Sequence, residues 1–530
     1  MTSRSWERPA LSENRPAAVI ILAAGEGTRL KSKTPKVLHP IGGRSLVSHA
    51  IHAARGTSPE HLVVVVRHKR ELVAPHVAEV DPAALIADQD EVKGTGRAVE
   101  CGLQVLPPDL TGTVLVTYGD VPLLETTTLR EMTAAHEASG NAVTVITSVL
   151  EDPSGYGRVV RDTDGQVLRI VEQKDAQRAR DEGGEDAGAL DIKEINSGIY
   201  AFDAQVLRDC LSRVGTDNAQ GEKYLTDVLG LARAAGRPVR AHVVEDRWQS
   251  EGVNDRTQLA DLGRILNERL VRRWMLEGVT VVDPATTWID ADVTIGRDTV
   301  IRPGTQLLGA TTIGEDAVIG PDTTLTSVEV GDGASVVRTQ AELAVIGPKA
   351  TVGPFSYLRP GTELGAGGKI GGFVETKNAV IGEGAKVPHL TYAGDATIKE
   401  GANIGAGTIF ANYDGVDKHH TTIGRHSFVG SDTVLIAPVN VADGAYVAAG
   451  SALTGDVEPG QIAVSRARQR NVDGWVARKR AGTKTAAAAE AAAAEAAASG
   501  ATSAGDGTEA TGTDEAGARH THSQDEGSQA

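Results

Sequence analysis

A six-residue repeat in the second half of the sequence limits the possible fold more than any other feature. After Gly278, aliphatic residues recur at every sixth position in three runs, and glycine often follows them. This period matches neither the 3.6 residues of an α-helical turn nor the two-residue alternation of a flat strand. We therefore predict a parallel β-helix, in which each hexad supplies one face of a triangular coil. The repeating residues are Ile295, Ile301, Leu307, Ile313, Ile319 and Leu325, then Ile346, Val352, Leu358, Leu364 and Ile370, and finally Ile423, Val429, Leu435, Val441, Val447 and Leu453.

The repeat loses its register after Ile370 and again between Phe410 and Ile423. Insertions into a repeat fold usually form loops, so we expect the chain to leave the coil at both places. A coil that needs only solubility could carry any polar residues there, but these segments are unusually rich in polar and aromatic side chains. They are Glu375, Lys377, His389, Tyr392, Asn412, Tyr413, His419 and His420.

The first half of the sequence is organised around a glycine-containing loop, residues 22–36. The apolar run before it predicts a buried strand, and the small residues that follow allow backbone amides to approach an anion closely. Arg29 and Lys36 add fixed positive charge. Leu30 stands where a dinucleotide fingerprint and a P-loop would each need glycine, so neither motif is complete. The loop predicts a phosphate site of another kind.

Apolar runs alternate with helix-like segments over residues 17–253, which predicts a largely parallel, Rossmann-like α/β sheet. Ligands of such sheets bind at the carboxyl ends of the strands. Tyr118, Gly119 and Asp120 directly follow one run and are expected at that edge. The clearest strand candidates are residues 62–66, 114–117 and 142–149.

The domain organisation follows from changes in these patterns. Leucines at three- and four-residue steps predict one amphipathic helix joining the two halves. After Trp475 come alanine-rich repeats, which predict a marginal, solvated helix, and then a Gly/Ser/Thr/acidic tail with too little apolar content to fold. The predicted segments are a disordered extension 1–16, a nucleotide-binding domain 17–253, a linker helix 254–277, a β-helix domain 278–475 and an alanine-rich, disordered tail 476–530.

Charge and cysteine content narrow the class of protein. A formal net charge of -17 argues against a general nucleic-acid binder, so any anionic ligand must be held by local cations. Cys101 and Cys210 are far apart and have no metal-type spacing, which favours a reduced compartment. Because no signal-peptide core or membrane-spanning apolar run is present, we expect a cytoplasmic protein without membrane insertion.

The loop closed by Pro35 and Lys36 resembles the signature of sugar-nucleotide pyrophosphorylases. Together with the hexads, residues 17–475 resemble the family of bifunctional N-acetylglucosamine-1-phosphate uridyltransferases/glucosamine-1-phosphate acetyltransferases. The resemblance implies a left-handed coil, a homotrimer, and synthesis of UDP-N-acetylglucosamine for peptidoglycan and other cell-envelope polymers. It implies glucosamine 1-phosphate, acetyl-CoA, UTP and N-acetylglucosamine 1-phosphate as small-molecule substrates.

The resemblance also implies roles for residues of the first half. Those implied or expected to hold nucleotide and sugar are Leu22, Ala23, Ala24, Gly25, Arg29, Lys36, Gln89, Gly94, Thr95, Tyr118, Gly119, Asp120, Gly157, Glu172, Asn196 and Asn254. Asp120 and Asn254 match the ligands of Mg²⁺. Attack of one phosphate on another brings anions together, so a hard cation and fixed Lys/Arg charges suit the reaction.

In the second half, His389 matches the general base of acetyl transfer, a role that suits an imidazole titrating near neutrality. The resemblance assigns the sugar phosphate to Arg359, Lys377, Tyr392 and Asn403. It assigns acetyl-CoA to Ala406, Asn412, Tyr413, Ser431, Ala449 and Arg466, with Trp475 as a weaker addition.

Two alternatives remain open from the sequence, and a third does not fit it. The β-helix could be only a trimerisation platform for a pyrophosphorylase, although the set Arg359, Lys377, His389 and Tyr392 argues against this. The enzyme could use another sugar or base. A zinc site that hydrates carbon dioxide needs three converging histidines, and the spacing of the histidines in this half does not match that pattern.

Overall fold

The computed structural model describes residues 15–218 and 220–501. Residues 1–14 and 502–530, for which we predict disorder, lie outside the described residues. Within the described part, no helix is both long enough and apolar enough to cross a bilayer. The contacts of the chain divide it into a large compact unit that ends at Ser465 and a smaller unit that begins at Arg466.

The first part of the large unit is built on one β-sheet. Its strands are β1 (Ala18–Leu22), β2 (Pro40–Ile41), β3 (Arg44–Ser45), β4 (His61–Val66), β5 (Leu85–Asp88), β6 (Thr113–Tyr118), β7 (Val143–Val149), β8 (Arg158–Arg161), β9 (Val167–Val171), β10 (Glu194–Asp203) and β11 (Val239–Val243), of which β2 and β3 form a separate hairpin. Its helices are α1 (Leu46–Arg55), α2 (Arg70–Val80), α3 (Thr95–Gln104), α4 (Thr126–Ala138), α5 (Gln173–Glu182), α6 (Ala204–Leu211) and α7 (Asp227–Ala234). Four short 3₁₀ helices are Thr28–Leu30, Lys36–Leu38, Glu185–Asp191 and Arg247–Ser250.

The central strands are buried on both faces because their side chains alternate between two apolar cores. In β1, Ile20 packs on the side of α3, α6 and α7, whereas Ile21 packs on the side of α1, α2 and α4. The strand order is β11-β7-β10-β6-β1-β4-β5, which places β1 and β6 at the centre. This sandwich of helices around a sheet confirms the predicted α/β class.

The sheet is mixed rather than uniformly parallel. β1 runs parallel to β4 and β6, but β10 runs antiparallel to both β6 and β7. β8 and β9 form an antiparallel pair beside β10. An apolar run predicts a buried strand without its direction, which is why the sequence did not reveal these reversals.

Helix α8 (Arg256–Leu276) begins where Asp255 accepts hydrogen bonds from the backbone amides of Thr257 and Gln258. Its buried residues serve two cores. Leu262 packs in the first domain, whereas Val271 and Trp274 belong to the core of the β-helix.

The linker helix is not the only connection between the halves. The amide of Ala291 donates to the carbonyl of Gly42 at 2.9 Å, and Arg44 forms an ion pair with Asp292. Buried Asn267 of α8 donates to the carbonyl of Thr287 at 2.8 Å and accepts from the amide of Ile289 at 2.9 Å. The expectation that this helix is the only link between the two halves was therefore wrong.

From Thr280 to Ala463 the chain forms the predicted parallel β-helix, with paired strands one coil apart on three faces. Face 1 contains Thr280–Val281, Val300–Ile301, Val318–Ile319, Ser335–Val336, Thr351–Val352, Lys369–Gly372, Lys386–His389, Asn403–Ile404, Phe428–Val429, Tyr446–Val447 and Ile462–Ala463. Face 2 contains Trp288–Ile289, Gln306–Leu308, Thr324–Thr326, Thr339–Glu342, Ser356–Leu358, Ile409–Ala411, Val434–Ile436 and Ala452–Leu453. Face 3 contains Thr294–Ile295, Thr312–Ile313, Glu329–Val330, Val345–Ile346, Thr362–Leu364, Thr421–Ile423 and Val439–Val441. Glu375–Ile381 and Tyr392–Ile398 each bend from face 2 to face 3.

Only one of the two register breaks is a loop. Between Asn412 and His420 the chain leaves the coil, as predicted, and Tyr413 and Lys418 pair within that insertion. After Ile370, however, the coil continues without interruption. Thr376 takes the next inward position there, and the step from it to Ile381 is one residue short of a hexad. Because the inward residue is a threonine and the next step is five residues long, the six-residue repeat is not visible in this part of the sequence.

The smaller unit contains two helices among its described residues, Trp475–Lys479 and Lys484–Ala501. The second coincides with the alanine-rich repeats, for which we predict a helix.

Candidate active sites

The first candidate site lies at the carboxyl ends of β1 and β6, where the fold places loops over the sheet edge. The amide of Gly119 donates to the carbonyl of Leu22, and the amide of Ala23 donates to the carbonyl of Val65, both at 2.9 Å. These bonds hold the start of the glycine-containing loop against the residues that follow β6. The resulting edge is where α/β sheets bind their ligands.

Two cationic side chains and two side chains with acceptor oxygens converge at this edge from distant parts of the sequence. Lys36 forms an ion pair with Asp120, and its Nζ also donates to Oδ1 of Asn254 at 3.2 Å. Nη2 of Arg29 donates to the same Oδ1 at 2.8 Å. The amide of Val253 donates to the carbonyl of Asp120 at 2.9 Å, which brings the two segments together. A carboxylate and an amide oxygen that share an ammonium are hard donors suited to a divalent cation.

A cavity of about 410 Å³ opens beside these groups. Nε2 of Gln89 donates to the carbonyls of Val92 and Gly94, at 3.0 and 3.3 Å, and so orders one wall. Gly94 has a φ of 116°, and a Cβ there would collide with the backbone of Lys223. The predicted residues that line this cavity are Leu22, Ala23, Ala24, Gly25, Lys36, Gln89, Gly94, Thr95, Tyr118 and Asp120.

A second cavity of about 240 Å³ shares Thr95 and Tyr118 with the first. It contains Gly157, Glu172 and Asn196, the predicted sugar contacts. The amide of Asn196 donates to the carbonyl of Gly157 at 2.9 Å. A Cβ on Gly157 would lie 3.3 Å from Oε1 of Glu172, so glycine leaves the carboxylate room. All sixteen predicted residues of the first half are thus brought to one place.

The environment of Glu172 is unusual for a carboxylate. Burial, with smaller contributions from Asp175 and Asp227, raises its pKa from 4.5 to about 6. Burial also raises the pKa of the Tyr118 hydroxyl, and the carboxylate of Glu172 adds to that shift. Both hydroxyl and carboxyl therefore favour their neutral, hydrogen-bonding forms more than they would in water.

We expect Glu172→Gln to stabilise the fold near neutral pH. Between about pH 4.5 and 6 the native carboxyl retains a proton that the unfolded chain releases, so wild-type stability falls as pH rises through this window. The amide does not titrate, so the variant should unfold at a higher temperature than wild type at pH 7, and the difference should disappear below about pH 4.5. Thermal unfolding between pH 4 and 8 measures this.

Exposed Glu131 on α4 provides the matched control, because Glu131→Gln removes a carboxylate that water already solvates. Equal unfolding temperatures for Glu172→Gln and wild type at pH 7 would contradict the expectation.

Sequence reasoning missed several residues of this site. Glu222 lines both cavities, Lys93 and Arg67 line the first, and Tyr156 lines the second. The hydroxyl of Tyr156 donates to Oε2 of Glu251 at 2.9 Å. Lys93 could have been found from its position beside Gly94, whereas Glu222 lies in a loop without a recognisable motif.

The second candidate site is on the β-helix, and its cations lie where face 2 turns into face 3, here called corner B. The amide of Arg359 donates to the carbonyl of Thr376 at 2.9 Å, which places Arg359 beside Lys377 on the next coil. Nη1 of Arg359 donates to Oε1 of Glu375 at 2.9 Å. The adjacent ammonium of Lys418 lowers the pKa of Lys377. Clustered cations of this kind, of which Arg359 and Lys377 are half-buried and Lys418 is exposed, suit a phosphate.

Lys418 was not predicted from the sequence. It comes from the insertion after Phe410 and pairs with Tyr413. Tyr392 begins its strand on face 2, and Nδ2 of Asn412 lies 3.5 Å from the Tyr392 hydroxyl. The ring of Tyr413 is exposed.

His389 lies at the other edge of face 2, where face 1 ends, here called corner A. Its carbonyl accepts from the amide of Gly407 at 3.2 Å, and its side chain is exposed. On the following coils, Ala406 accepts from the amide of Asp432 and Ser431 accepts from the amide of Gly450, both at 2.8 Å. His389, Ala406, Ser431 and Ala449 therefore follow one edge of the coil.

The predicted acetyl-transfer residues thus form two groups on one chain. Arg359, Lys377 and Asn412 lie at corner B, and the group of His389 lies at corner A, with Tyr392 between them. Asn403 is on face 1, paired in register with Lys386 and Phe428. Arg466 and Trp475 belong to the smaller unit.

The two histidines of the insertion make other contacts. His419 is paired with Asp414 at 2.8 Å, and Nε2 of His420 bonds to the hydroxyl of Thr397 at 2.9 Å. Over residues 15–218 and 220–501, no group of three His, Cys, Asp or Glu side chains converges on a metal position.

Three family descriptions match parts of the chain. Residues 19–182 match the MobA-like NTP transferase domain, residues 292–327 the bacterial transferase hexapeptide in six repeats, and residues 420–455 the hexapeptide repeat of succinyl-transferase. These ranges fall in the two parts of the chain that carry the candidate sites.

Three curated relatives, each named bifunctional protein GlmU, match almost the whole chain. The relative from Kineococcus radiotolerans is 59% identical over 473 residues, covering 89% of this chain and 94% of the relative. The relative from Mycolicibacterium vanbaalenii is 59% identical over 479 residues, covering 89% and 95%. The relative from Streptomyces avermitilis is 57% identical over 479 residues, covering 90% and 98%.

Proposed function

The chain belongs to the family of bifunctional N-acetylglucosamine-1-phosphate uridyltransferases/glucosamine-1-phosphate acetyltransferases, and we propose how its residues divide the two reactions. It is a bifunctional transferase that makes UDP-N-acetylglucosamine, a precursor of cell-envelope polymers. The β-helix supplies acetyl transfer and the α/β domain supplies uridyl transfer. The observation that carries the proposal is the pair of separate cationic clusters, one around Lys36 and one around Lys377.

In acetyl transfer, the amine of glucosamine 1-phosphate attacks the thioester carbonyl of acetyl-CoA. A C–N bond forms, the C–S bond breaks, and the thiolate of CoA leaves. We propose that the imidazole of His389 takes the amine proton, because it is the exposed base beside the series Ala406, Ser431 and Ala449. Arg359 and Lys377 would hold the sugar phosphate, with Tyr392 and Asn403 orienting the sugar.

The acetyl donor would lie along corner A and reach the insertion. Ala406, Ser431 and Ala449 are small residues at successive coils, so an extended ligand would meet little side-chain bulk along this edge. Asn412 and Tyr413 would contact the donor from the insertion, whereas Arg466 is assigned to acetyl-CoA by the family resemblance alone.

In uridyl transfer, a phosphate oxygen of N-acetylglucosamine 1-phosphate attacks the α-phosphorus of UTP, and pyrophosphate leaves. Arg29 and Lys36 would hold the phosphates, and Gln89, Gly94 and Thr95 the uracil. The remaining assignments place the nucleotide at Leu22, Ala23, Ala24, Gly25, Tyr118 and Gly119, and the sugar at Gly157, Glu172 and Asn196.

We also propose that Asp120 and Asn254 bind Mg²⁺. An oxygen of each residue contacts the ammonium of Lys36, so the two oxygens already lie close enough together to hold one positive charge. When bound, Mg²⁺ would neutralise the charge of the reacting phosphates.

We propose a cytoplasmic homotrimer formed through the β-helix. Three exposed apolar side chains follow corner A beside His389, namely Phe355, Phe373 and Leu390, and the two phenylalanine rings stack at 5.3 Å. Such a ridge favours burial against another chain. A neighbouring chain would also bring groups from different corners into one acetyl-transfer pocket.

One set of assays tests the function. Phosphate release from UTP with pyrophosphatase should require N-acetylglucosamine 1-phosphate, with far less from glucose 1-phosphate or with TTP in place of UTP. Thiol release from acetyl-CoA should require glucosamine 1-phosphate, and sedimentation should give three chains. Phosphate release without thiol release would instead favour a pyrophosphorylase with a structural β-helix.

A further inference from the structure

Corner B of the β-helix carries a ladder of three polar side chains on successive coils. Lys377 is in register with Gly394, so Asn378 lies beside Asp395, and the next coil places Asn412 on the other side. Nδ2 of Asn378 donates to Oδ1 of Asp395 at 2.8 Å, and Nδ2 of Asn412 donates to Oδ2. Each oxygen of the carboxylate thus accepts from a different coil.

This carboxylate also faces positive charge. Burial raises the pKa of Asp395, but the hydrogen bonds from Asn378 and Asn412 and the nearby ammonium groups of Lys418 and Lys377 hold its pKa below the usual range. Asp395 is therefore ionised at neutral pH. Its negative charge lies beside Lys377 and Lys418, two of the cations clustered at this corner.

The two contacts connect the parts of the acetyl-transfer site. Asn412 is the first residue of the insertion and Lys418 lies near its end, where it pairs with Tyr413. The bond from Asn412 to Asp395 therefore fixes the insertion to the coil that carries Tyr392, which is next to the coil of Lys377. The backbone of Asp395 has a φ of 49°, a conformation in which aspartate is among the better tolerated residues.

We propose that Asp395 is a positioning residue for acetyl transfer, which holds Asn412 for the acetyl donor and offsets the positive charge that holds the sugar phosphate. The inference rests on the proposed function, because the assignments of Asn412 and Lys377 are part of it. No contact between Asp395 and either substrate is required.

This double role has a consequence that a structural role alone would not produce. Removing the charge while keeping the side-chain shape should weaken binding of acetyl-CoA, since the amide that replaces the carboxylate has one acceptor oxygen for the two donors Asn378 and Asn412. The same change should strengthen binding of glucosamine 1-phosphate, since Lys377 and Lys418 lose a competing anion. The two substrates should respond in opposite directions.

Asp395→Asn tests the proposal in the full chain. We expect the KM for acetyl-CoA to rise about five- to tenfold, the range expected for one lost hydrogen bond. The KM for glucosamine 1-phosphate should fall roughly two- to fivefold, as expected for an exposed charge pair. Asp322→Asn is the matched control, because Asp322 also has a positive φ of 49° in the coil and pairs with Arg338 instead.

A second variant reverses the charge effect. Asn378→Asp places a second carboxylate against Asp395. Because the two carboxylates then compete for a proton, only part of the added charge reaches Lys377, and the KM for glucosamine 1-phosphate should rise by up to about fivefold. This outcome remains informative if Asp395→Asn folds poorly, which a lower unfolding temperature or reduced uridyl transfer would reveal.

The outcomes separate this inference from the proposed function. Wild-type protein that does not acetylate glucosamine 1-phosphate would overturn both. An active wild type whose two KM values rise together in Asp395→Asn, or stay unchanged in both variants, would overturn only the role of Asp395.

Discussion

Asp120→Asn should lower Mg²⁺-dependent uridyl transfer roughly 100- to 1,000-fold, the range seen when one electrostatic contact to a developing charge is lost. The substitution keeps the size of the side chain but removes its negative charge. Lys36 then loses its ionic partner, and the proposed cation loses a charged ligand. Asn254→Ala should have an effect in the same direction, because Arg29 and Lys36 also lose a shared acceptor.

The measurement is the rate of pyrophosphate release over a range of Mg²⁺ concentrations. Higher Mg²⁺ should recover part of the activity of Asp120→Asn if the residue binds the metal. Acetyl transfer in the same protein serves as an internal control and should be unchanged. Asp109→Asn, an exposed aspartate outside both cavities, should behave as wild type.

If Asp120→Asn transfers uridyl groups at the wild-type rate at low Mg²⁺, Asp120 is not a ligand of the metal. A loss of activity that no Mg²⁺ concentration relieves would assign Asp120 only the task of holding Lys36. In that case Lys36→Ala should have the same effect as Asp120→Asn, and the double variant should be no worse than either.

The first candidate site was largely predictable because its residues stand in short motifs that follow strands. Leu22, Tyr118 and Asp120 occupy the carboxyl ends of β1 and β6, and any parallel pairing of these strands places them together. The approach of Asn254 was not predictable from spacing. It depends on the hydrogen bond between Val253 and Asp120, which the sequence pattern does not encode.

The β-helix was predictable where inward residues are aliphatic and evenly spaced. Prediction failed after Ile370, since Thr376 and Ala393 take inward positions and the steps that follow them are one residue short of a hexad. A hydroxyl can be buried there because Oγ1 of Thr376 bonds to Oγ1 of Thr362 at 3.0 Å. Two side chains that bond between neighbouring coils are separated in sequence by the length of a whole coil. The six-residue period alone therefore cannot show which side chains form such pairs.

The same limit explains why Asp395 and Lys418 were overlooked. Asp395 follows a glycine and Lys418 precedes two histidines, and each would pass for an exposed turn residue. Their importance comes from stacking of coils, which places Asn378, Asp395 and Asn412 side by side.

Truncation after Leu276 should keep uridyl transfer and abolish acetyl transfer and trimerisation, since the two halves have separate cores. The structure adds that this truncated chain should be less stable than its domain in the full protein. It exposes Val271 and Trp274 and removes the partners of Gly42, Arg44 and Asn267. Activity and thermal unfolding of the truncated chain test both points, and a folded chain that makes no UDP-sugar would show that the halves are not independent.

His389→Ala should reduce acetylation of glucosamine 1-phosphate by roughly 100- to 10,000-fold, the usual contribution of a positioned general base. Uridyl transfer should be unchanged, because every group assigned to that reaction lies in the other domain. His426→Ala is the matched control. It removes an exposed imidazole from a turn of the same β-helix, and none of the proposed contacts involves this imidazole. Only the unprotonated amine can attack the thioester. Without the base, the residual activity of His389→Ala should therefore rise with pH, as unprotonated amine becomes more abundant. If His389→Ala acetylates at the wild-type rate between pH 7 and 8, His389 is not the base. Equal losses of acetyl transfer and uridyl transfer would instead indicate damaged folding.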